Sequence, residues 1–170
     1  HRQCRRQRQM CIRDSVNTGV LEINSSVQMN VTPSFRQRTT SNHTATHLLQ
    51  SALKLSIDSS VSQRGSLVSN HRLRFDFNAP KPLTIKELED MEVRINQWIN
   101  EDHPIQIKTM PIKEAMAAGA LAMFGEKYGD VVRVVDVPGV SMELCGGTHV
   151  TRTSQLGTFK IINEIGIASG

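Results

Sequence analysis

The sequence predicts an α+β domain in which a mixed or antiparallel sheet packs with two main helices. Two stretches, residues 41–57 and 84–100, repeat apolar side chains at helical spacing. Short alternating or β-branched stretches lie mostly between and after these helices. Because helices and strands do not alternate regularly along the chain, the order of elements favours an α+β fold over a parallel α/β fold.

The first helix is predicted to run from Ser41 to Ile57, with Thr40 or Ser41 as its N-terminal cap. Residues 19–31 alternate weakly before it and predict one or two strands, a pattern that Thr32–Pro33 interrupts. The predicted buried face of the helix consists of Ala45, Leu48, Leu49, Ala52 and Leu53.

A β-hairpin and a second helix are predicted next. Apolar and polar side chains alternate over residues 72–77, as in a half-buried strand, and residues 65–68 can pair with them through a short turn. Thr84 and Glu87 form the sequence of a capping box, so the second helix begins there and runs to about Asn100. Its predicted core face consists of Ile85, Leu88, Met91, Ile95, Trp98 and Ile99.

The C-terminal half is predicted to hold one short helix, over residues 111–118, and several short strands. A glycine-punctuated loop, GALAMFGEKYGD (119–130), follows this helix. The predicted strands are residues 105–109, 131–137, 141–144 and 158–163.

The positive net charge of the chain comes from its N-terminal residues. Of 20 lysines and arginines and 16 acidic residues, residues 1–14 hold five and one respectively, which leaves 15 of each sign in the body. The body therefore lacks the bulk electrostatic signature of a nucleic-acid-binding domain, and any RNA contact must come from a local patch. We expect residues 1–14 to be a disordered or foreign tail, because they combine arginine, glutamine and two cysteines without periodicity.

The hydrophobic pattern and the cysteine content predict a cytoplasmic protein that does not insert into membranes. No apolar stretch approaches the ~20 residues that span a bilayer, and no apolar segment follows the basic N-terminal residues as in a secretory signal. Cys145 is the only cysteine outside the tail, so the body cannot form an internal disulfide. A single body cysteine fits a reducing compartment and favours metal binding or catalysis.

Four residues of the body have the spacing of metal ligands. His43 and His47 lie one helical turn apart on the first predicted helix, and Cys145 and His149 enclose the glycine pair of CGGTH. Thiolate sulfur and imidazole nitrogen are the donors that zinc prefers in tetrahedral sites. Glycines after the cysteine allow the chain to fold back towards the same ion. The two pairs together predict a metal site that joins the first helix to the last sheet.

Four segments resemble the editing domain of alanyl-tRNA synthetase and its free-standing relatives. They are NHTATHLL (42–49), QRGSLVSNHRLRFDF (63–77), MFGEKYGDVVRV (123–134) and ELCGGTHVTRTSQLGTFKI (143–161). The family's order and spacing are kept from about residue 42 to residue 170. This resemblance implies three parts: the tail at 1–14, a remnant of a preceding β-barrel segment at 15–41, and a zinc-dependent editing domain, truncated at its C-terminus, at 42–170.

The resemblance also implies roles for individual residues. It implies a zinc ion held by His43, His47, Cys145 and His149, close to the 3′ end of a mischarged tRNA. It implies that Thr46 and Gln63 shape the pocket, and that Cys145 belongs to the catalytic group as well as to the ligand set. The hydroxyl of Thr46 would then meet the hydroxyl of a bound seryl group. The local basic residues expected to contact tRNA are Arg64, Arg72, Arg74, Lys127 and Arg133.

The implied activity is hydrolysis of tRNA(Ala) that carries serine or glycine, with the other domains of the parent synthetase as partners. An alanine pocket cannot exclude the smaller glycine, and one methyl group is worth only ~1–3 kcal/mol of discrimination. Serine adds one hydroxyl to alanine and is also poorly rejected. A second, hydrolytic site must therefore sort these products.

Three alternatives stay open at this point. The same four ligands would suit a non-catalytic, zinc-stapled tRNA-binding module. They would also suit the editing domain of another synthetase, such as the threonyl type, although FGEKYGD and CGGTHV favour the alanyl type. The third alternative is an inactive fragment. The sequence does not decide whether zinc activates water or positions the substrate, because four protein ligands fill a tetrahedral shell.

Overall fold

The computed structural model describes residues 18–20, 22–26, 28, 30–79, 81–122 and 127–166. The chain divides into two compact units, residues 1–30 and 31–170. The predicted tail at 1–14 lies outside the described residues, as does most of the FGEK part of the glycine-punctuated loop.

The described part of the first unit contains no strand, so the strands predicted within residues 19–31 are wrong for these positions. The backbone amide of Ser25 donates a hydrogen bond to the carbonyl of Glu22, and Asn24 adopts a left-handed φ of 68°. This turn interrupts the extended backbone that a strand requires. Val20 and Ile23 are both almost fully exposed, so the apolar alternation there does not reflect burial within the described residues.

In the second unit, helix α1 spans Pro33–Ser56 and begins eight residues before the predicted start. Pro33 occupies the first turn of the helix, where its fixed φ is favourable and its missing N–H has no helical partner to lose. Thr32–Pro33 therefore starts the helix, and the predicted caps Thr40 and Ser41 lie inside it. The expected domain boundary between residues 41 and 42 also falls within α1.

The predicted hairpin is confirmed as strands β1 (Gln63–Val68) and β2 (Leu73–Phe77), which pair antiparallel. Its register shifts between Gln63 and Gly65, so Arg64 is the additional residue of a β-bulge. A bulge lets neighbouring side chains turn towards the same side of a strand. Gln63 and Arg64 indeed line one cavity.

Helix α2 spans Ile85–Asn100 and begins at the predicted capping box. The amide of Glu87 donates to the Thr84 hydroxyl, and the Glu87 carboxylate accepts from the Thr84 amide. Ile85 was predicted to face the core, but 76% of it is exposed, because the first helical residue lies beyond the packed face. The other predicted residues are buried or partly buried: Leu88, Met91, Ile95, Trp98 and Ile99.

The last sheet is antiparallel and contains β3 (Gln106–Pro111), β4 (Val131–Val137) and β5 (Ser141–Leu144), in that order. Helix α3 (Ile112–Ala117) follows β3 directly. With α1 and α2, these strands confirm the predicted α+β class. Buried residues of α1, α2 and β4 form one core.

The strand predicted at residues 158–163 is not formed. Asn96 of α2 pairs with both backbone groups of Phe159, at 2.8 and 2.9 Å. Glu92 accepts a hydrogen bond from the amide of Ile161 at 2.9 Å. Side chains of α2 thus satisfy backbone groups that a neighbouring strand would otherwise pair with, and the segment joins no sheet among the described residues.

Candidate metal centre

The predicted ligands of α1 meet the predicted ligands of the CGGTH segment. This segment, residues 145–149, follows β5 directly and precedes a 3-10 helix, Thr153–Leu156. The hydroxyl of Thr153 donates to the carbonyl of Trp98 on α2, at 2.6 Å. The strand before the segment and the buried threonine after it therefore anchor both ends of CGGTH, and hydrogen bonds from Thr40 to Thr148 and between Thr44 and His149 join it to α1.

The four candidate ligand atoms of His43, His47, Cys145 and His149 all lie within 4.8 Å of one another. His43 Nε2 is 3.5 Å from Cys145 Sγ, and His149 Nε2 is 3.3 Å from it. The backbone amide of Gly147 donates to the same sulfur at 3.5 Å. The structure thus brings together all four side chains that the spacing pointed to, with soft and borderline donors facing one point.

Burial keeps the three imidazoles in the neutral form that binds metals. It lowers the pKa of His47 to about 3 and that of His149 to about 2, and the repulsion that a second protonated histidine in the cluster would cause lowers both further. Burial also lowers the pKa of His43, although a hydrogen bond with the backbone of Thr148 opposes the shift. At neutral pH each ring therefore keeps one nitrogen lone pair for a ligand.

The two ring nitrogens of His47 have the surroundings that are typical of a metal-binding histidine. Its Nδ1 atom is buried and has no hydrogen-bond partner among the described residues, while its Nε2 atom lies 3.6 Å from Glu143 Oε2. Since the imidazole is neutral, this contact is not an ion pair. Metal-binding histidines commonly direct one ring nitrogen to the metal and the other to a carboxylate. The unpaired nitrogen and the soft donor set both fit a metal ion.

Glu143 is a buried carboxyl that sequence reasoning missed. It lies on β5, and its Oε1 accepts a hydrogen bond from the Ser141 hydroxyl at 2.9 Å. Burial raises its pKa to about 7, against the smaller opposing effects of Ser141 and Lys54. The sequence offered one signal that Glu143 lies near the ligands: it precedes Cys145 by two residues, and a strand places alternate side chains on the same face.

A cavity of about 360 Å³ adjoins the centre at Glu143. The predicted pocket residue Gln63 lies in its wall, where its amide donates to the Ser66 hydroxyl at 2.9 Å. Most of the residues that line the cavity are polar or charged, two of them cationic; the lining residues are Gln50, Lys54, Ser62, Gln63, Arg64, Leu121, Ala122 and Glu143. A space of this size and polarity can receive a small polar group beside the cluster.

Thr46 is buried on α1, and its hydroxyl donates to the carbonyl of His43 at 2.6 Å. The donor of this hydroxyl is therefore used within the helix. A hydroxyl has two further acceptor lone pairs, so Thr46 can still accept a hydrogen bond from a ligand. The predicted role of Thr46 in recognising a seryl hydroxyl stays a prediction, and it depends on these acceptor lone pairs.

The basic residues expected to contact tRNA differ in their surroundings. Arg64, Arg72 and Lys127 are exposed. Arg74 forms two hydrogen bonds with Asp76 on the same strand, at 2.9 and 3.1 Å. Arg133 is half-buried and donates to the carbonyls of Cys145 and Gly147, at 2.8 and 2.7 Å. The Arg133 guanidinium thus holds the CGGTH segment, a role that the sequence did not indicate.

We expect Arg133→Ala to weaken metal binding by about 10- to 100-fold, as other changes next to metal ligands do. The substitution leaves two carbonyls of the CGGTH segment without their charged donor. Competition with a chromophoric chelator measures the effect, and Arg72→Ala on the exposed hairpin is the control. Unchanged metal affinity with reduced tRNA affinity would instead support the RNA role.

No helix in the described part of the chain combines the length and apolar character of a membrane span.

Residues 132–170 match the family model described as the threonyl and alanyl tRNA synthetase second additional domain. The chain is 99% identical over 155 residues to the alanine–tRNA ligase of Prochlorococcus marinus (strain NATL1A), a match that covers 91% of this chain and 18% of that ligase.

More distant ligases match over the same span. The alanine–tRNA ligases of Trichormus variabilis (strain ATCC 29413 / PCC 7937) and Synechococcus elongatus (strain ATCC 33912 / PCC 7942 / FACHB-805) are each 57% identical over 155 residues, 91% of this chain and 18% of each ligase. The chain thus spans less than a fifth of the length of these relatives. The resemblance that the motifs indicated is confirmed: over most of its length, this chain is similar to one segment of alanyl-tRNA synthetases, and it carries a match to their second additional domain.

Proposed function

We propose that this chain performs hydrolytic editing, removing serine or glycine from mischarged tRNA(Ala) as part of an alanyl-tRNA synthetase or as a protein derived from one. The observation that carries the proposal is the cluster of three neutral imidazoles and one cysteine beside a cavity that is lined mostly by polar and charged residues. The relatives support it, since they are alanine–tRNA ligases. The proposal places the protein in the cytoplasm, with the tRNA acceptor end and the other synthetase domains as partners.

We propose zinc as the metal, held by His43, His47, Cys145 and His149. Imidazole and thiolate donors in a group of four are typical of zinc sites, and carboxylate oxygens, which magnesium and calcium prefer, are not among them. When bound, zinc would polarise an ester carbonyl or a water molecule, or hold the amino group of the substrate.

The side chains around the cluster have separate tasks in this proposal. Lys54 and Arg64 supply positive charge at the cavity wall, where a tRNA end brings phosphate. The amide of Gln63 borders the same space and offers a carbonyl oxygen as an acceptor. Glu143 lines the cavity and also lies 3.6 Å from His47, so its carboxyl is available both to a group in the cavity and to this ligand. The cavity thus orients the aminoacyl ester against the metal ligands.

The test of the activity is deacylation of seryl-tRNA(Ala) and glycyl-tRNA(Ala) by the whole chain loaded with zinc, with alanyl-tRNA(Ala) as the comparison. Hydrolysis of the two mischarged forms and sparing of the alanyl form are expected. A zinc-loaded chain that binds tRNA without hydrolysing either ester would favour the non-catalytic module. Preferential hydrolysis of seryl-tRNA(Thr) would favour the threonyl type.

Thr46→Val is expected to slow seryl-tRNA hydrolysis by about 10- to 100-fold and to change glycyl-tRNA hydrolysis by less than about threefold. The Thr46 hydroxyl can accept a hydrogen bond from the seryl hydroxyl, whereas glycine has no side chain to pair with it. A buried polar group without its partner costs ~1–3 kcal/mol. Single-turnover deacylation with both substrates measures this selectivity.

The matched control for Thr46→Val is Thr39→Val. The Thr39 hydroxyl also donates to a carbonyl of α1, that of Phe35, at 2.8 Å. Its replacement should leave both substrates unaffected. Equal loss on both substrates for Thr46→Val would show that Thr46 supports the fold or the metal ligands rather than specificity.

A further inference from the structure

The side chain of Thr44 is completely buried at the point where α1 meets the CGGTH segment. Its hydroxyl oxygen contacts three groups, all at 3.2 Å: the carbonyl of Thr40, Nδ1 of His149 and the amide of Val150. One contact lies within α1, and the other two cross to the segment that holds the candidate ligand His149. Thr44 therefore connects both halves of the cluster without being one of its ligands.

The hydrogen-bonding capacity of a hydroxyl determines the direction of each bond. A hydroxyl has one donor and two acceptor lone pairs. The Thr40 carbonyl can only accept, so it takes the single proton of the hydroxyl. The Val150 amide can only donate, so it occupies one lone pair. The remaining lone pair must accept from His149, which requires the proton of that imidazole to be on Nδ1.

We propose that Thr44 is a positioning residue that fixes the tautomer of His149 and thereby directs its Nε2 lone pair to the metal. With the proton on Nδ1, the Nε2 atom is the unprotonated nitrogen, and it is also the atom that lies 3.3 Å from Cys145 Sγ. Fixing a ligand's tautomer through its other ring nitrogen is a common way to orient metal-binding histidines. The inference rests on the proposed metal site.

Thr44 and Thr46 therefore divide two roles between them. Both donate to a carbonyl of the preceding helical turn. Of these two threonines, only Thr44 has hydrogen bonds, among the described residues, to His149 of the CGGTH segment and to Val150, the residue that follows it. Thr46 stays a candidate for substrate recognition, whereas Thr44 acts on the metal through His149.

The test compares Thr44→Val, which keeps the shape of the side chain but removes the hydroxyl, with Thr44→Ser, which keeps the hydroxyl. Zinc affinity is measured by chelator competition, and cobalt(II) absorption reports the geometry of the ligands. We expect Thr44→Val to bind zinc about 10- to 100-fold more weakly and to alter the cobalt spectrum. Thr44→Ser should stay within about threefold of the unaltered chain, since it restores the hydrogen bonds.

A second measurement reads the tautomer of His149 directly, first in the unaltered chain and then in the valine variant. The ¹⁵N chemical shifts of the His149 ring in the metal-free chain should show a protonated Nδ1, and the preference should weaken in Thr44→Val. An Nε2-protonated His149 in the unaltered chain would overturn the proposal, as would equal zinc affinity in the valine variant. If the unaltered chain bound no zinc or cobalt at all, the proposed metal site would fail, while the ring tautomer would still be tested.

Discussion

Gly147→Ala is expected to abolish stoichiometric zinc binding while leaving most of the fold intact. A Cβ atom added at this position would overlap Cε1 of the His43 ring and lie 2.5 Å from its Nδ1. Separations this short are not tolerated, so the ring or the loop must move. Both are parts of the cluster, and the loop is further held by Arg133 through the Gly147 carbonyl. We therefore expect zinc affinity to fall by at least about 100-fold, more than for a change outside the ligand set.

Metal content after gel filtration measures this effect, and circular dichroism reports whether the helices persist. Gly129→Ala is the matched control, because the nearest atom to a Cβ there, among the described residues other than its chain neighbours, is the Val131 carbonyl oxygen at 4.0 Å. Neither glycine requires a left-handed φ, so the two substitutions differ mainly in the space around them. Full zinc occupancy in Gly147→Ala would mean that His43 is not a ligand in the arrangement described.

The ligand set could be predicted from the sequence because each pair is a local pattern. A spacing of four positions along a helix places His43 and His47 on the same side, and a glycine pair allows the chain to fold back so that His149 approaches Cys145. The residues that surround the ligands could not be predicted in this way. Thr44 contacts His149, and Glu143 contacts His47, only because α1 packs against β5 and the CGGTH segment. Neither contact could be read from a repeating pattern in the sequence.

The same distinction applies to the fold. The capping box of α2 and the hairpin alternation are local signals, and both were confirmed. The segment at 158–163 has the composition of a strand, but Glu92 and Asn96 of α2 bind its backbone instead. Tertiary hydrogen bonds thus override local propensity there. At Pro33 the error was one of interpretation, since proline both ends periodic patterns and begins helices.

Cys145→Ser is expected to remove zinc, lower the melting temperature of the loaded chain and abolish seryl-tRNA hydrolysis. The sulfur lies between Nε2 of His43 and Nε2 of His149, and it also accepts from the Gly147 amide. A serine hydroxyl does not ionise near neutral pH and does not provide the soft thiolate donor that zinc favours. We expect zinc binding to weaken by more than about 100-fold, because three ligands and a neutral hydroxyl replace a complete set.

The melting temperatures distinguish the contribution of bound zinc to stability from the contribution of the Cys145 side chain. Zinc would join α1 to the CGGTH segment, so its binding energy contributes directly to the stability of the folded state. If the loss of zinc is the only effect of Cys145→Ser, removing zinc from the unaltered chain with a chelator should lower its melting temperature to that of the variant. The chelator should not change the melting temperature of the variant. A serine variant that melts well below the stripped chain would show that the thiol supports the fold on its own. A variant that keeps both zinc and seryl-tRNA hydrolysis would contradict the assignment of Cys145 as a ligand, and with it the proposed centre.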